Sequence, residues 1–331
     1  MINVFFNTDY IKPKTVFLTK SFRFSKFYSL YLTIYSLLNL PINEKFIYSG
    51  PHKRMNNALK TFKNNPEYSI NKKVYENSYI LQFDKFGQNI LNKLLNDNNN
   101  SFILVGPLFS IKEERLLNKI INENKNVKKL VASEIAKKNT VEMDKNFDLS
   151  KCVVCPSGVV QKKEVAKSLE IKNRNNRCLV YYKKRPKEHL DKIISILSEH
   201  GIEFDLFEYG KYDNHQLKKI AKQNKFGIIL SRPETQGFGI QELMSCNLPL
   251  FVWDQNINYY ENFEISGTTV STWGNNCGVV ESNEKKLNIS FNKFLDEIDR
   301  YNPAELVLEK LTFEKFRENL QRLFLEFNSE D

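Results

Sequence analysis

The chain has 331 residues, of which 41% are hydrophobic and 27% are charged, so it is long enough for two soluble domains and needs no disulfide or metal to fold. Its formal net charge of +10 favours an anionic partner, whether nucleic acid, a membrane surface or a phosphorylated small molecule, without choosing among them. The five cysteines are odd in number and lack a disulfide framework, and the N-terminus lacks the pattern of a secretory signal. We therefore expect a cytoplasmic protein.

In the first half of the chain, short apolar runs alternate with amphipathic segments of helical period. We predict strands from INVFF, EKFIYSG, SYILQFD, SFILVGP and KCVVCPS, and helices from FSKFYSLYLTIYSLL, KFGQNILNKLL and IKEERLLNKIINEN. The most apolar stretch, from Phe27 to Leu40, is too short and too rich in hydroxyl groups to span a bilayer. It predicts a buried or amphipathic helix and leaves a peripheral membrane contact open.

Cys152 and Cys155 form a C-x-x-C at the end of this half. A structural zinc site needs a second pair of ligands at suitable spacing, and the sequence has no second C-x-x-C and no H-x3-H. We interpret the two cysteines as part of a buried strand and predict no metal site.

The second half repeats the alternation. We predict strands from RCLVYYK, EFDLFEYG, FGIILS and LPLFVWD. Helices are predicted from PKEHLDKIISILSEHG, with Pro186 in the first turn and Gly201 as the C-terminal cap, and from DNHQLKKIAKQN, with Asp213 as the N-cap. The C-terminal stretch from Pro303 predicts two helices or one broken helix. Alternation in both halves predicts two doubly wound α/β domains.

A Pro-Ser-Gly turn followed by charged and polar residues marks the boundary between the two domains. We predict an N-terminal domain over residues 1–160, a linker over 161–175, and a C-terminal domain over 176–300. The remaining helices, over 301–331, are expected to pack back on the N-terminal domain.

The segment FGIILSRPETQGFGIQELM predicts a strand that ends near Ser231 and a helix that begins near Gly237 or Phe238. Loops at the carboxyl ends of strands bind ligands in doubly wound domains. Gly237 and Gly239 permit positive φ and a close approach of the backbone to a ligand. The N–H groups at such a helix start favour an anion or a cluster of hydroxyl groups.

Glu234 and Glu242 lie on either side of this turn. A carboxylate at position 242, on the first turns of the helix, can accept hydrogen bonds from a vicinal diol such as ribose. The alternative for any isolated pair of this kind is that both acids only stabilise the helix macrodipole. The preceding strand, the intervening glycines and the following run LPLFVW favour the ligand site.

The stretch ETQGFGIQELMSCNLPLFVW resembles the E-x7-E region of GT-B glycosyltransferases, in particular their retaining members, with Gln236 as a departure from the usual pattern. The resemblance covers residues 101–254 and hardly extends into the first hundred. It implies the GT-B fold, in which two Rossmann-like domains face each other across a cleft. The domain over 1–160 would then be the acceptor side, and the domain over 176–300 would bind the nucleotide sugar. It also implies transfer of a sugar from a nucleoside-diphosphate sugar to a glycan or another hydroxyl acceptor, without a cofactor.

The resemblance further implies roles for individual residues. Glu242 would bind the ribose, and Glu234 would lie beside the transferred sugar. The backbone N–H groups of Gly237, Phe238 and Gly239 would surround that sugar, and Gln236 would be a further donor-binding residue. The loop that holds the nucleotide base corresponds to Tyr209 and Gly210. On the acceptor side, the candidates are His52 and Gly106.

The residues after the strand RCLVYYK would grip the donor diphosphate, and they include four cations in five positions: Lys183, Lys184, Arg185 and Lys187. Cations at a helix start oppose the macrodipole, which favours a ligand over a merely basic surface. Because the sequence has no Asp-x-Asp, we predict that these cations replace a divalent metal. An inverting reaction would need a base, and His52, the only histidine of the N-terminal half, is a weak candidate in its Gly-Pro loop.

Two alternatives belong to other functional classes. A non-catalytic basic α/β protein could bind nucleotides or nucleic acid, but it would need basic strands interleaved with aromatics or a recognition helix, whereas the cations here gather after one strand. We therefore expect no nucleic-acid partner. A degenerate transferase could serve as a scaffold, but both acids of the motif are present.

Overall fold

The structure is a computed structural model that describes residues 2–5, 50–63, 65–71, 77–81, 83–97, 102–106, 111–166, 174–260 and 263–329. These residues form two compact units. Among those described, the first unit contains 2–5, the part of 54–158 outside the gaps, and 313–329. The second unit contains 50–53 and the described part of 159–312.

The first unit is built on a parallel sheet with lateral order β2-β1-β3-β4-β5-β6. Its strands are β1 Ile2–Phe5, β2 Tyr68–Ile70, β3 Ser78–Ile80, β4 Ile103–Val105, β5 Val127–Val131 and β6 Cys152–Val154. The helices of this part of the chain are α1 Gly50–Phe62, α2 Lys85–Asn96, α3 Ile111–Glu123, α4 Glu134–Met143 and the last helix of the chain, α10 Phe313–Ser329. The first turn of α1 groups with the second unit.

The second unit is built on a parallel sheet with lateral order β13-β10-β9-β7-β8. Its strands are β7 Asn175–Lys183, β8 Glu203–Glu208, β9 Asn224–Ser231, β10 Leu250–Trp253 and β13 Gly278–Glu281. An antiparallel hairpin, β11 Ile257–Tyr260 and β12 Phe263–Ser266, lies outside this sheet. The helices are α5 Lys187–Glu199, α6 Asn214–Ala221, α7 Phe238–Ser245, α8 Leu287–Asp296 and α9 Pro303–Lys310.

The strand order reverses inside the second sheet. The chain runs from β7 to β8 on one side and then returns to β9 on the other side of β7. In open, doubly wound sheets such a reversal creates a crevice outside the carboxyl ends of the two central strands. The first sheet has the same kind of order, with its reversal between β1 and β3.

The central strands of the second sheet, β7, β9 and β10, are apolar on both faces because helices cover both. Alternate side chains of β7 enter different clusters: Leu179 and Tyr181 pack with α7 and α9, whereas Cys178 and Val180 pack with α5 and α8. This period of two, with both faces buried, is typical of parallel sheets. The predicted fold class, doubly wound α/β of the Rossmann-like kind in both units, is confirmed.

Most predicted elements that fall on described residues are present. Asp213 caps α6 as predicted, since its side chain accepts a hydrogen bond from the Gln216 N–H at 2.7 Å. The strand EKFIYSG lies outside the described residues except for Gly50, which begins α1, and the predicted helix around Phe27 to Leu40 lies wholly outside them. The apolar and helical patterns of the sequence did not predict α1, α4, α8, β2, β5, β13 or the hairpin.

The division into units differs from the predicted domains in three places. Residues 50–53 group with the second unit. The main part of the second unit begins at Val159, so the described part of the predicted linker over 161–175 belongs to it. Of the C-terminal helices, α10 groups with the first unit, whereas α9 groups with the second. Among the described residues, no helix combines the length and the apolar character that a membrane span requires.

Candidate active site

The candidate site lies at the carboxyl ends of β7 and β9, where the strand order of the second sheet reverses. Lys183 is the last residue of β7 and Ser231 is the last residue of β9, and the two are paired in register. Ligands of doubly wound sheets bind outside such a point. The topology therefore selects these strand ends independently of any sequence motif.

The glycine-rich turn between β9 and α7 has two separate requirements for glycine. Gly237 has φ of 75°, in the left-handed region, and caps the N-terminus of α7. Gly239 has no room for a side chain, because a Cβ there would lie 2.9 Å from the hydroxyl of Tyr181. The close neighbour of Gly239 is thus a tyrosine of β7, and the approach of a ligand to its backbone stays a prediction.

Glu234 is held by several contacts at this point. Its Oε1 accepts hydrogen bonds from Lys183 Nζ at 2.5 Å and from Ser231 Oγ at 2.8 Å, and its backbone N–H donates to the Thr268 carbonyl at 2.9 Å. Lys183 Nζ also lies over the ring of Tyr209, 4.7 Å from its centroid. The structure thus brings together three of the predicted residues, and both charged side chains keep part of their surface exposed.

Glu242 lies on the second turn of α7 and is only 2% exposed. Its Oε2 accepts a hydrogen bond from Lys53, a residue of α1 that is 7% exposed. No pattern in the sequence links these two residues, which are 189 positions apart. Each acid of the E-x7-E stretch therefore has its own lysine.

Two tyrosines lie near the acids, Tyr181 in the core and Tyr212 partly buried beside it. Tyr181 and Tyr212 have ring centroids 6.1 Å apart, and Phe238 packs against the same apolar cluster. Burial raises the pKa of Tyr212, and the charges of Glu242 and Glu234 raise it further. Both phenols therefore stay neutral near the two carboxylates.

Arg185 has a different environment from the predicted one. Its Nη1 donates to the carbonyls of Ser231 at 3.2 Å and Trp253 at 3.0 Å, and its Nε donates to His189 Nδ1 at 3.0 Å. The side chain is buried, which lowers the pKa of the guanidinium, while the charge of Asp254 opposes that shift. Arg185 joins the ends of β9 and β10, so its donors are not directed at a diphosphate.

The other predicted cations also differ from one another. Lys187 is exposed on the first turn of α5 and forms an ion pair with Asp191 at 2.8 Å, away from Glu234. Lys184 is exposed and has a left-handed backbone, with φ of 52°. Of the four cations predicted to grip a diphosphate, Lys183 is the one that contacts a predicted acid at the strand ends.

The remaining donor-side residues are divided between the protein interior and its surface. Gln236 is buried, and its Nε2 donates to Gln241 Oε1 at 3.2 Å, while its carbonyl accepts a hydrogen bond from Ser271 Oγ at 2.9 Å. Gly210 has φ of 85°, and a Cβ there would meet no atom within 4 Å. Gly210 thus lies in an open turn next to Tyr209.

The structure gives new information on the two residues predicted for the acceptor side. His52 belongs to α1, not to a loop, and its side chain lies outside the described residues. Gly106 has a structural role: its carbonyl accepts hydrogen bonds from Arg54 at 2.6 Å and Tyr79 at 3.3 Å. A Cβ at position 106 would lie 2.0 Å from the carbonyl oxygen of Leu130, so no other residue fits.

Metal-ligating side chains do not cluster in the part of the chain that the structure describes: no group of three or more His, Cys, Asp or Glu residues there could hold an ion. Cys152 and Cys155 are both free and buried, and Cys152 begins β6.

No protein-family model matches the sequence, and no curated protein is similar to it. Similarity appears at the level of structure. The chain matches a structure of the GtfA/B complex with a TM-score of 0.50 and 13% identity, over 78% of this chain and 58% of the other. It matches a mutant of S. aureus TarM in complex with fondaparinux, α-GlcNAc-glycerol and UDP with a TM-score of 0.49 and 15% identity, over 81% and 59%.

The chain also matches the pneumococcal O-GlcNAc transferase GtfA in complex with UDP and GlcNAc, with a TM-score of 0.45 and 12% identity, over 76% of this chain and 57% of the other. The fold is of the GT-B type. At these identities the likeness concerns the fold alone, and the chain spans less than two thirds of the length of these structures.

Proposed function

We propose that the chain is a glycosyltransferase that moves a sugar from a nucleoside-diphosphate sugar to a hydroxyl group of a glycan or another acceptor. The observation that carries this proposal is the arrangement at the strand-order reversal: Lys183 and Glu234 meet at the ends of β7 and β9, and Glu242 follows on α7. A cation, a partly exposed helix start and two carboxylates at that point suit a ligand with both phosphates and hydroxyl groups.

In this proposal the diphosphate departs towards fixed positive charge. Lys183 supplies that charge from the end of β7, where it is only partly exposed. The first N–H groups of α7, from Phe238 onward, have no partner within the helix and add donors at the same place. Donors that are fixed before the reaction stabilise a developing anion without reorganisation. Arg185 serves as a positioning residue, because it holds the ends of β9 and β10.

The two acids have separate roles. Glu242 accepts hydrogen bonds from the ribose hydroxyl groups, and Glu234 lies beside the transferred sugar. We infer a retaining reaction, in which the bond from the anomeric carbon to the diphosphate oxygen breaks and the departing diphosphate takes the proton of the acceptor hydroxyl. The acceptor oxygen then bonds to the same face of the anomeric carbon. No protein base is needed for this step.

We also propose that the reaction needs no divalent metal, because the sequence has no Asp-x-Asp and Lys183 can neutralise the leaving group. The experiment is a calorimetric titration with UDP, GDP, ADP and a short RNA, each with and without excess EDTA. We expect one nucleoside diphosphate to bind equally well in both conditions. Binding of RNA alone would instead support a basic nucleic-acid-binding protein, and binding that disappears with EDTA would contradict metal independence.

A further inference from the structure

A buried ion pair between Lys53 and Glu242 joins the first turn of α1 to α7 within the second unit. Both residues are more than nine-tenths buried, and among the described residues Glu242 uses only its Oε2 for the contact. The other carboxylate oxygen, Oε1, has no hydrogen-bond partner there. One oxygen of Glu242 is thus held by an ammonium group, and the other is left to accept a hydrogen bond.

The surroundings of Glu242 explain why an isolated carboxylate would not stay in this place. Its neighbours along α7, Leu243 and Met244, are fully buried in the apolar core of the second unit. A buried carboxylate needs a counter-charge, because water cannot solvate it. Buried ion pairs add little net stability compared with apolar side chains of similar size, so stability alone does not account for a lysine and a glutamate here.

The more exposed pair, Lys183 with Glu234, differs from this one. Its two side chains keep 19% and 16% of their surface exposed, against 9% and 3% for Lys53 and Glu242. A ligand can therefore reach Lys183 directly, whereas Lys53 acts on a ligand through the acid that it holds.

We propose that Lys53 is a positioning residue that fixes the Glu242 carboxylate for recognition of the ribose, and that it thereby sets the preference for ribonucleotides over 2′-deoxyribonucleotides. This inference rests on the proposed function, in which Glu242 binds the ribose. With Oε2 fixed by Lys53, Oε1 accepts a hydrogen bond from a ribose hydroxyl in one orientation. Without the ammonium group, the carboxylate loses that orientation, and the 2′-hydroxyl adds little to affinity.

The test compares the dissociation constant of the bound nucleoside diphosphate with that of its 2′-deoxy form, by calorimetry. We expect the protein to bind the ribonucleotide about tenfold more tightly, the effect of one hydrogen bond to a charged group. In Lys53→Met this ratio should fall to about one, and Lys53→Arg should keep it. Lys183→Met serves as the matched control, because it should weaken both ligands equally and leave the ratio unchanged.

A ratio that survives in Lys53→Met overturns the inference. So does a parent protein that binds both forms equally well, although the proposed function then still stands. If the parent binds no nucleoside diphosphate, the proposed function fails as well, and the two failures are thereby distinguished. Should Lys53→Met not fold, Lys53→Leu provides the same comparison, because it also removes the ammonium group and leaves no donor to Glu242 Oε2.

Discussion

Glu234 and Glu242 differ in surroundings, and this difference predicts different effects of substitution. Glu242 is buried and would contact the nucleoside part of the donor, whereas Glu234 is partly exposed beside Lys183. We expect Glu242→Gln to weaken binding of the free nucleoside diphosphate about tenfold or more, because a hydrogen bond to a charged group contributes roughly 1.5–3 kcal/mol. Glu234→Gln should bind the free diphosphate like the parent and transfer sugar more slowly.

Calorimetry on both variants measures the first effect, and turnover of the nucleotide sugar measures the second. Glutamine is preferable to alanine at position 242, because its amide oxygen can still accept a hydrogen bond from the buried Lys53. The thermal midpoints of both variants control for unfolding. If Glu242→Gln binds the diphosphate as tightly as the parent does, the acid has only a structural role.

Sequence reasoning at the residue scale could identify the two acids but not their partners. The four cations from Lys183 to Lys187 look equivalent in the sequence. Their different environments are visible only in the structure. Lys183 ends a strand, Arg185 donates to carbonyl groups at the ends of two strands, and Lys187 forms an ion pair within its own helix. The contact between Lys53 and Glu242 could not be predicted, since nothing in the local sequence of Lys53 indicates it.

At the scale of a single element, the start of α7 depends on a left-handed residue. Gly237 has φ of 75°, and a Cβ there would lie 3.4 Å from the Cβ of Glu234. We expect Gly237→Ala to lower the free energy of unfolding by about 1–2 kcal/mol, the usual strain of this backbone region. We also expect it to reduce turnover, because relief of that strain would shift the turn that carries Glu234. Urea unfolding and a turnover assay measure the two effects.

Gly201 provides the matched control. It also has a left-handed backbone, with φ of 61°, at the end of α5, and a Cβ there would meet no atom within 4 Å. Gly201→Ala should therefore lose similar stability and keep its turnover. An equal loss of turnover in both variants would mean that stability, and not the position of Glu234, controls activity.

The missed strand β5 shows why some elements are not visible in the sequence. Its sequence, VKKLV, carries two lysines, which break the apolar run that predicts a buried strand. Lys129 is nevertheless 1% exposed, because its ammonium group contacts Asn118 and Thr140 on neighbouring helices at 3.3 and 3.0 Å. Polar side chains from helices elsewhere in the sequence thus allow a buried charge on this strand. A local sequence pattern cannot show such partners.

For the whole molecule, the fold class followed from strand–helix alternation, whereas the division into units did not. The last helix groups with the first unit, although it follows the second unit in the sequence. This grouping depends on contacts between residues far apart in the sequence, such as the hydrogen bond from Arg317 to the carbonyl of Thr61 at 3.0 Å. A local sequence pattern does not contain them.

The buried cysteines predict that stability falls at alkaline pH. All five are free and buried, and burial raises the pKa of Cys152 and of Cys277 to about 11. In the unfolded chain these thiols ionise near pH 8.5, so above that pH the folded state binds more protons and the free energy of unfolding decreases, up to about 1.4 kcal/mol per pH unit for each thiol.

Urea unfolding at pH 8 and pH 10 measures this loss. The double variant Cys152→Ala, Cys277→Ala should lose less stability over the same interval than the parent does. A loss that is equal in the two proteins would assign the alkaline sensitivity to other groups.

The central claim is that a nucleotide sugar reacts at the ends of β7 and β9, and the most direct measurement is the release of nucleoside diphosphate from a panel of nucleotide sugars. The parent protein should consume at least one donor, if only by transfer to water. Lys183→Met should do so about a hundredfold more slowly, the effect of losing one fixed donor to a developing anion. Lys192→Met, which removes an exposed lysine paired with Glu284 on the surface, should react like the parent. Absence of release from every donor, or equal rates in the parent and Lys183→Met, would contradict the account.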